Sequence, residues 1–98
     1  SANHRVQTDY AANLMAITRD NVVDLVDEGR KAEAAAAMRS RAESLDEMAR
    51  TYANPSVASI SAKESAEADR IEQEGLDAAG RKTYRTENAQ TYGQQRAN

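Results

Sequence analysis

Apolar residues recur along the first part of the chain at the spacing of a helix. The first apolar stripe comprises Val6, Tyr10, Leu14 and Ile17, continued by Val22, Leu25 and Val26. This pattern predicts a first helix over residues 6–28 with the stripe toward the core. Asp20 and Asn21 interrupt the stripe and predict a weak point at its middle. Gly29 follows the helix, where a glycine adopts a positive φ without steric cost.

A second helix is predicted over residues 31–53. Its apolar positions are spaced alternately three and four residues apart, at Ala35, Met38, Ala42, Leu45, Ala49 and Tyr52. This spacing is typical of a helix that packs lengthwise on a partner, and the alanines permit close approach of the two backbones. Two such helices joined by a glycine turn predict a long antiparallel helical hairpin.

Pro55 ends the second helix, because the residue before a proline avoids the α conformation. Two starts are open for a third helix: Asn54 as the N-cap with Pro55 at the first position, or a capping box of Ser61 and Glu64. In either case a third helix should cover about residues 61–79. Its thin apolar face toward the hairpin comprises Ile60, Ala68, Ile71 and Leu76. The acids from Glu64 to Asp77 predict that most of its circumference faces water.

The chain after Gly80 changes sign from acidic to basic. Residues 81–98 form a basic tail, expected to be a short fourth helix or a strap on the third helix, with an ion pair between Asp77 and Arg81. The predicted fold is therefore all-α, with residues 1–98 in a single helical domain. It closes either as a three-helix bundle or, when two copies dimerise, as a four-helix bundle.

Composition narrows the functions open to such a domain. The chain has 98 residues with no Phe, Trp or Cys, so there is little bulky material to enclose a catalytic cavity. A net charge of −3 disfavours nucleic acid and anionic membranes as partners. The lack of cysteine excludes disulfides and Cys-based zinc sites. No apolar run approaches the roughly 20 residues that span a bilayer, and no targeting signal is present, so the cytoplasm is only a default localisation.

The residues that commonly carry chemistry form no recognisable site. His4 stands alone near the start of the chain, and the acids of the first two helices have the pattern of a solvated face. Phosphate-binding, dinucleotide-binding and nucleophile-elbow motifs are absent. Tyr84 and Tyr92 lie among basic residues, but those bases are expected to pair with nearby acids rather than with nucleic acid. We therefore predict no catalytic, cofactor-binding or metal-ligating residue, and no enzymatic activity.

The region around the first turn resembles a known family. Between two alanine-rich helices lies the pattern L-x-D-E-G-R-x-x-E-A, which is similar to the C-terminal helical region of bacterial von Willebrand factor type A (VWA) domain proteins. The residues that carry the resemblance are Leu25, Asp27, Glu28, Gly29, Arg30, Glu33 and Ala34, followed by Leu45 and Ala49. The Asn54-Pro55 break and the closing Arg81-Lys82-x-Tyr84-Arg85 also resemble that family's tail.

The resemblance implies an accessory helical module that follows a VWA domain and its β-sandwich companion. The metal-binding motif of that family, D-x-S-x-S, lies in the VWA domain and does not occur in this sequence, so no metal ligand is carried over. The expected function is a non-catalytic interaction module without a cofactor. It would pack on its parent VWA domain or another protein, or self-associate as a homodimer. The alternative is a tetratricopeptide-like peptide-binding module, although the 34-residue period of such repeats does not return.

Overall fold

Four helices make up the described part of the chain. The computed structural model describes the backbone of residues 2–97 and the side chains of residues 3–93; Ser1 and Asn98, the last residue of the predicted basic tail, lie outside the described chain. Within that range there is no strand, and the helices are α1 (Ala2–Asp27), α2 (Lys31–Thr51), α3 (Pro55–Glu74) and α4 (Ala78–Ala97). The predicted all-α fold is confirmed.

The turn between α1 and α2 forms where the sequence predicts it. Gly29 has a φ of 79°, and its amide donates to the carbonyl of Val26 at 3.0 Å while the amide of Arg30 donates to Leu25 at 2.8 Å. This pair of bonds is the Schellman arrangement that ends many helices. At the opposite end, His4 Nε2 lies 3.0 Å from the Tyr52 carbonyl oxygen, so the start of α1 meets the end of α2. The antiparallel hairpin is confirmed.

The core face of α1 is only in part the one that the apolar pattern predicts. Val6, Tyr10 and Ile17 are 68%, 55% and 57% exposed, and Leu14 is only partly buried. The buried face instead comprises Ala11, Met15, Ala16, Thr18, Arg19, Val22 and Val23. This broad inner face lets α1 contact all three other helices. Most of its residues are small, and small side chains permit close packing of the helices. The first part of the predicted stripe therefore faces solvent at Val6, Tyr10 and Ile17. Its continuation is in the interior, because Val22 is buried and Leu25 and Val26 pack against the core.

The second helix follows its prediction, whereas the third begins earlier than expected. Every predicted apolar position of α2 from Ala35 to Ala49 is buried, and Tyr52 is exposed just after the helix. The Asn54 side chain accepts hydrogen bonds from the amides of Ser56 and Val57 at 3.0 and 3.2 Å, with Pro55 at the first helical position. The start near residue 61 is therefore wrong, because the Asn54 cap and the proline together begin α3.

The boundary between α3 and α4 lies five residues before its predicted place. Gly75, with a φ of 70°, ends α3, and the Asp77 side chain accepts a hydrogen bond from the Gly80 amide at 2.7 Å. Gly80 thus belongs to the first turn of a 20-residue α4, and the basic tail is a full helix rather than a short helix or strap. Arg81 pairs with Asp27 of α1 at 2.6 Å, not with Asp77 as predicted.

The interior consists of two apolar clusters at opposite ends of the bundle. The turn-side cluster lies near Gly29 and comprises Val22, Val23, Ala34, Met38, Ala68, Ile71, Leu76 and Tyr84. The proline-side cluster lies near Pro55 and comprises Ala11, Met15, Leu45, Ala49 and Val57. Along α1 and α3, the positions between the clusters hold the buried polar residues Thr18, Arg19, Ser61 and Glu64. A polar layer therefore separates the two apolar clusters.

Candidate functional site

An apolar stripe on the outside of α1 is the first candidate site. We call Val6, Tyr10 and Ile17 the outer stripe; all three are more than half exposed. Val6 and Ile17 are eleven residues apart, so they point within about 20° of each other and lie about 17 Å apart along the helix. Large apolar side chains aligned on one exposed face are typical of a surface that packs against another protein.

The outer stripe continues onto the neighbouring helix at the proline-side end. Tyr52 and Met48 join Val6 and Tyr10 in lining a shallow groove of about 470 Å³. The Asn54 amide holds the two helices together here by donating to the His4 carbonyl and to Gln7 Oε1, each at 3.1 Å. Since Asn54 also caps α3, one side chain fixes the relative positions of three helices beside the groove.

A buried ion pair occupies the polar layer. Arg19 Nη2 of α1 lies 2.7 Å from Glu64 Oε1 of α3, and the two side chains are only 10% and 1% exposed. Burial raises the pKa of Glu64, because the loss of hydration outweighs the attraction of Arg19. The Oε2 atom of the same carboxyl is buried and has no hydrogen-bond partner among the described residues. The ionised form of Glu64 is therefore incompletely compensated.

Side chains from α4 and α3 surround this pair. The Arg19 guanidinium carbon lies 5.9 Å from the centre of the Tyr84 ring, within the range of a cation–π interaction. The Tyr84 hydroxyl donates to Glu67 Oε2 at 3.1 Å. Burial, and secondly the negative charge of Glu67, raise the pKa of Tyr84, so its hydroxyl stays protonated as a donor. Glu87 contributes a further carboxylate 3.7 Å from Arg19.

Asn88 connects α4 to α1 beside the ion pair. Its amide nitrogen donates to the Ala16 carbonyl at 3.0 Å and to Asp20 Oδ1 at 2.7 Å. Asn88 itself is 3% exposed. These contacts, with the ion pair of Arg81, hold α4 against α1 mainly through polar groups.

Most of the acids predicted to be solvated are exposed, but Glu64 is not. Asp20, Asp24 and Asp27 face solvent, whereas Glu64 is fully buried. A usable signal existed in the sequence: Arg19 lies at helical spacing between Met15 and Val22, so an α1 register that buries both of those residues also buries Arg19. A buried arginine in this register indicates a buried partner of opposite charge.

The aromatic residues of the basic tail do not form an open stacking surface. Tyr84 is 4% exposed and packs into the turn-side cluster, whereas Tyr92 is 37% exposed. A buried ring is not available to stack on a nucleic-acid base. Arg81 pairs with Asp27 of α1 and not with the nearby Asp77, so the predicted pairing with a local acid is wrong at this residue. The Tyr84 hydroxyl donates to Glu67 of α3.

Within the described part of the chain, no group of three or more His, Cys, Asp or Glu side chains is arranged to hold a metal ion. None of the described helices combines the length and the apolar character needed to cross a bilayer.

Comparisons with known proteins leave the structure as the basis for a functional conclusion. No protein-family model, no curated protein and no solved structure matches this chain.

Proposed function

We propose that this protein is a non-catalytic helical interaction module that binds another protein surface through the outer stripe of α1. The observation that carries the proposal is the exposure of Val6, Tyr10 and Ile17 on one face, at 68%, 55% and 57%. Burying a large apolar side chain contributes about 1.5–3 kcal/mol, so three aligned residues supply a substantial driving force for association.

Self-association is the form of binding that we expect to find first. A two-fold symmetric pair places the same stripe on both sides of the interface, so each apolar side chain meets another apolar side chain. The groove at Tyr52 and Met48 extends the apolar surface onto α2. The monomer already contains four helices, so the dimer joins two complete bundles rather than two hairpins.

Sedimentation equilibrium tests this proposal. We expect the wild type to show a mass above the monomer value of 10.7 kDa, rising with concentration. Ile17→Glu should return the protein to the monomer, because a charge in the interface loses its hydration. The matched control is Ala36→Glu, which adds the same charge at an exposed position of α2. A wild type that stays monomeric at every concentration would rule out self-association.

The resemblance to the VWA-protein tail supplies a proposed context for the module. In that context the outer stripe packs on the parent VWA domain when the two are present in one chain. The support is the sequence pattern around Gly29 described above. A coding sequence without an upstream D-x-S-x-S motif would contradict this origin, while leaving the self-association test unaffected.

A further inference from the structure

The cleft between α3 and α4 is a second feature that the outer stripe does not explain. The two helices meet only through side chains, since no Cα atoms of α3 and α4 lie within 8 Å of each other in the described chain. The space between them is a cleft of about 440 Å³. That volume falls within the usual range of small-molecule sites, roughly 300–1,000 Å³.

The cleft carries an excess of negative charge. Among the described side chains, five carboxylates line it, against the three cationic side chains Arg19, Lys63 and Arg70. The carboxylates are Glu64, Glu67, Glu74, Asp77 and Glu87. The whole chain is also negative, at −3. A cation entering the cleft is therefore attracted by both the local and the overall charge.

The acidic lining contains a buried acceptor that the protein leaves unused. Glu64 is 0% exposed; its Oε1 accepts from Arg19 at 2.7 Å, and its Oε2 has no hydrogen-bond partner among the residues that the structure describes. A carboxylate can accept about four hydrogen bonds, so this side of Glu64 retains capacity for a donor. Burial raises the pKa of Glu64, which indicates that one arginine does not fully offset the loss of hydration.

Glu87 and Glu67 provide more accessible carboxylates on opposite walls. Glu87 is 34% exposed and lies 3.7 Å from Arg19 and 3.9 Å from Lys63. Both distances exceed the ~2.7–2.9 Å of a good charged hydrogen bond, so a better-placed donor can bind this carboxylate. Glu67 is 20% exposed and accepts from Arg70 at 2.7 Å, and the hydroxyl of Tyr84 orients the same carboxylate oxygen.

We propose that the α3–α4 cleft binds an organic cation, a primary ammonium or guanidinium group with several N–H donors. Glu67 and Glu87 make the first contacts, and the unpartnered oxygen of Glu64 accepts a hydrogen bond at the buried wall. The aromatic ring of Tyr84 adds an uncharged surface beside the cation. Ammonium and guanidinium groups suit this arrangement because they distribute several donors over separated carboxylates. Polyamines and the side chains of lysine and arginine both carry this chemistry.

Isothermal titration calorimetry with two probes tests the proposal and separates the two sources. The probes are spermidine, and a blocked Ala-Arg-Ala-Arg-Ala peptide for a protein side chain. We expect the wild type to bind at least one probe at low ionic strength, with weaker binding as salt is added. Preference for the peptide indicates a protein source, and preference for spermidine indicates a free polyamine. The proposal is overturned if neither probe binds.

Three variants locate the site. Glu64→Gln and Glu67→Gln each remove one carboxylate charge from the cleft, and we expect about tenfold weaker binding for each. The control is Glu47→Gln, which removes the same charge from an exposed position of α2 outside the cleft. If Glu64→Gln loses its helical circular dichroism, Glu67→Gln decides the result, because that residue is partly exposed. Equal weakening by the control and by Glu67→Gln would show attraction to overall charge and contradict a defined site.

Discussion

Helices α2 and α3 are held in the bundle by different interactions from helix α4. Helices α2 and α3 pack through buried apolar side chains such as Met38, Leu45, Val57 and Ile71, which belong to the two core clusters. Helix α4 contributes a buried tyrosine, and its polar contacts with α1 include the hydrogen bonds of Asn88 and the ion pairs of Arg81 and Glu87. Apolar packing excludes water, whereas polar groups exchange hydrogen bonds with water for hydrogen bonds with each other, so their net contribution is smaller.

This difference teaches that the cleft is a consequence of how α4 is attached. Because α4 packs on α1 and touches α3 only through side chains, the space beside α3 remains open. The buried pair of Arg19 and Glu64 lies where the two types of packing meet. We therefore expect α4 to open at a lower free energy than the α1–α2–α3 core.

The largest expected effect comes from placing a charge in the apolar core between the helices. Leu45 is 2% exposed in the proline-side cluster, so Leu45→Asp buries a carboxylate with no nearby cation in that cluster. We expect loss of the helical circular dichroism signal at 25 °C. Ser44→Asp adds the same charge at the neighbouring exposed position and should retain the spectrum. A native spectrum for Leu45→Asp would mean that the core assignment of α2 is wrong.

The next largest effect comes from breaking the buried ion pair of the polar layer. Arg19→Met removes the only cation hydrogen-bonded to Glu64 among the described residues, and leaving a buried charge alone costs about 3–5 kcal/mol. Urea denaturation should show this loss. Adding Glu64→Leu should recover most of it, because an apolar pair needs no hydration. If the double variant is no more stable than Arg19→Met, the loss comes from packing rather than from charge.

A smaller and local effect is expected at the attachment of α4. Asn88→Ala removes hydrogen bonds to Ala16 and Asp20, at a cost of about 1–2 kcal/mol. Amide hydrogen exchange should accelerate in α4 while α2 and α3 remain protected. The exposed Gln90→Ala on the same helix is the control. Equal acceleration in all helices would show that α4 and the core open together.

The smallest expected effect is the dependence on pH. Burial raises the pKa of Glu64 in the folded protein above its ordinary value of 4.5. The folded state therefore holds this proton more tightly than the unfolded state, and the associated stability is fully present below pH 4.5. It is lost as the pH rises through the folded pKa. Urea denaturation at increasing pH above 4.5 should show the wild type losing stability relative to Glu64→Gln. A relative gain in stability would contradict the raised pKa of Glu64.

The first two helices and the turns that follow them were predictable because they depend on local chemistry. Gly29 ends α1 because a glycine adopts a positive φ without steric cost, and the alternating spacing from Ala35 to Ala49 identifies the buried face of α2. The start of α3 was predictable only as one of two alternatives, since Asn54 and Ser61 both carry capping side chains. The structure has the Asn54 cap, whose side chain also donates to the His4 carbonyl and to Gln7.

The candidate sites depended on contacts between distant parts of the chain. Val6, Tyr10 and Ile17 have the spacing of a core stripe, and only the positions of the other three helices leave them outside. Glu64 has the same local pattern as its solvated neighbours, and it is buried because Arg19, forty-five residues earlier, lies opposite it. No local rule distinguishes it from an exposed acid.

The sequence by itself determined that this protein is helical, where its first turn lies and which face of α2 is buried, because helix propensity, glycine and proline act over a few residues. The tertiary structure decided which face of α1 meets solvent, which carboxylate is buried and where the cleft opens. Those features arise from how four amphipathic helices share a limited apolar surface, and that division is settled only when all four pack together.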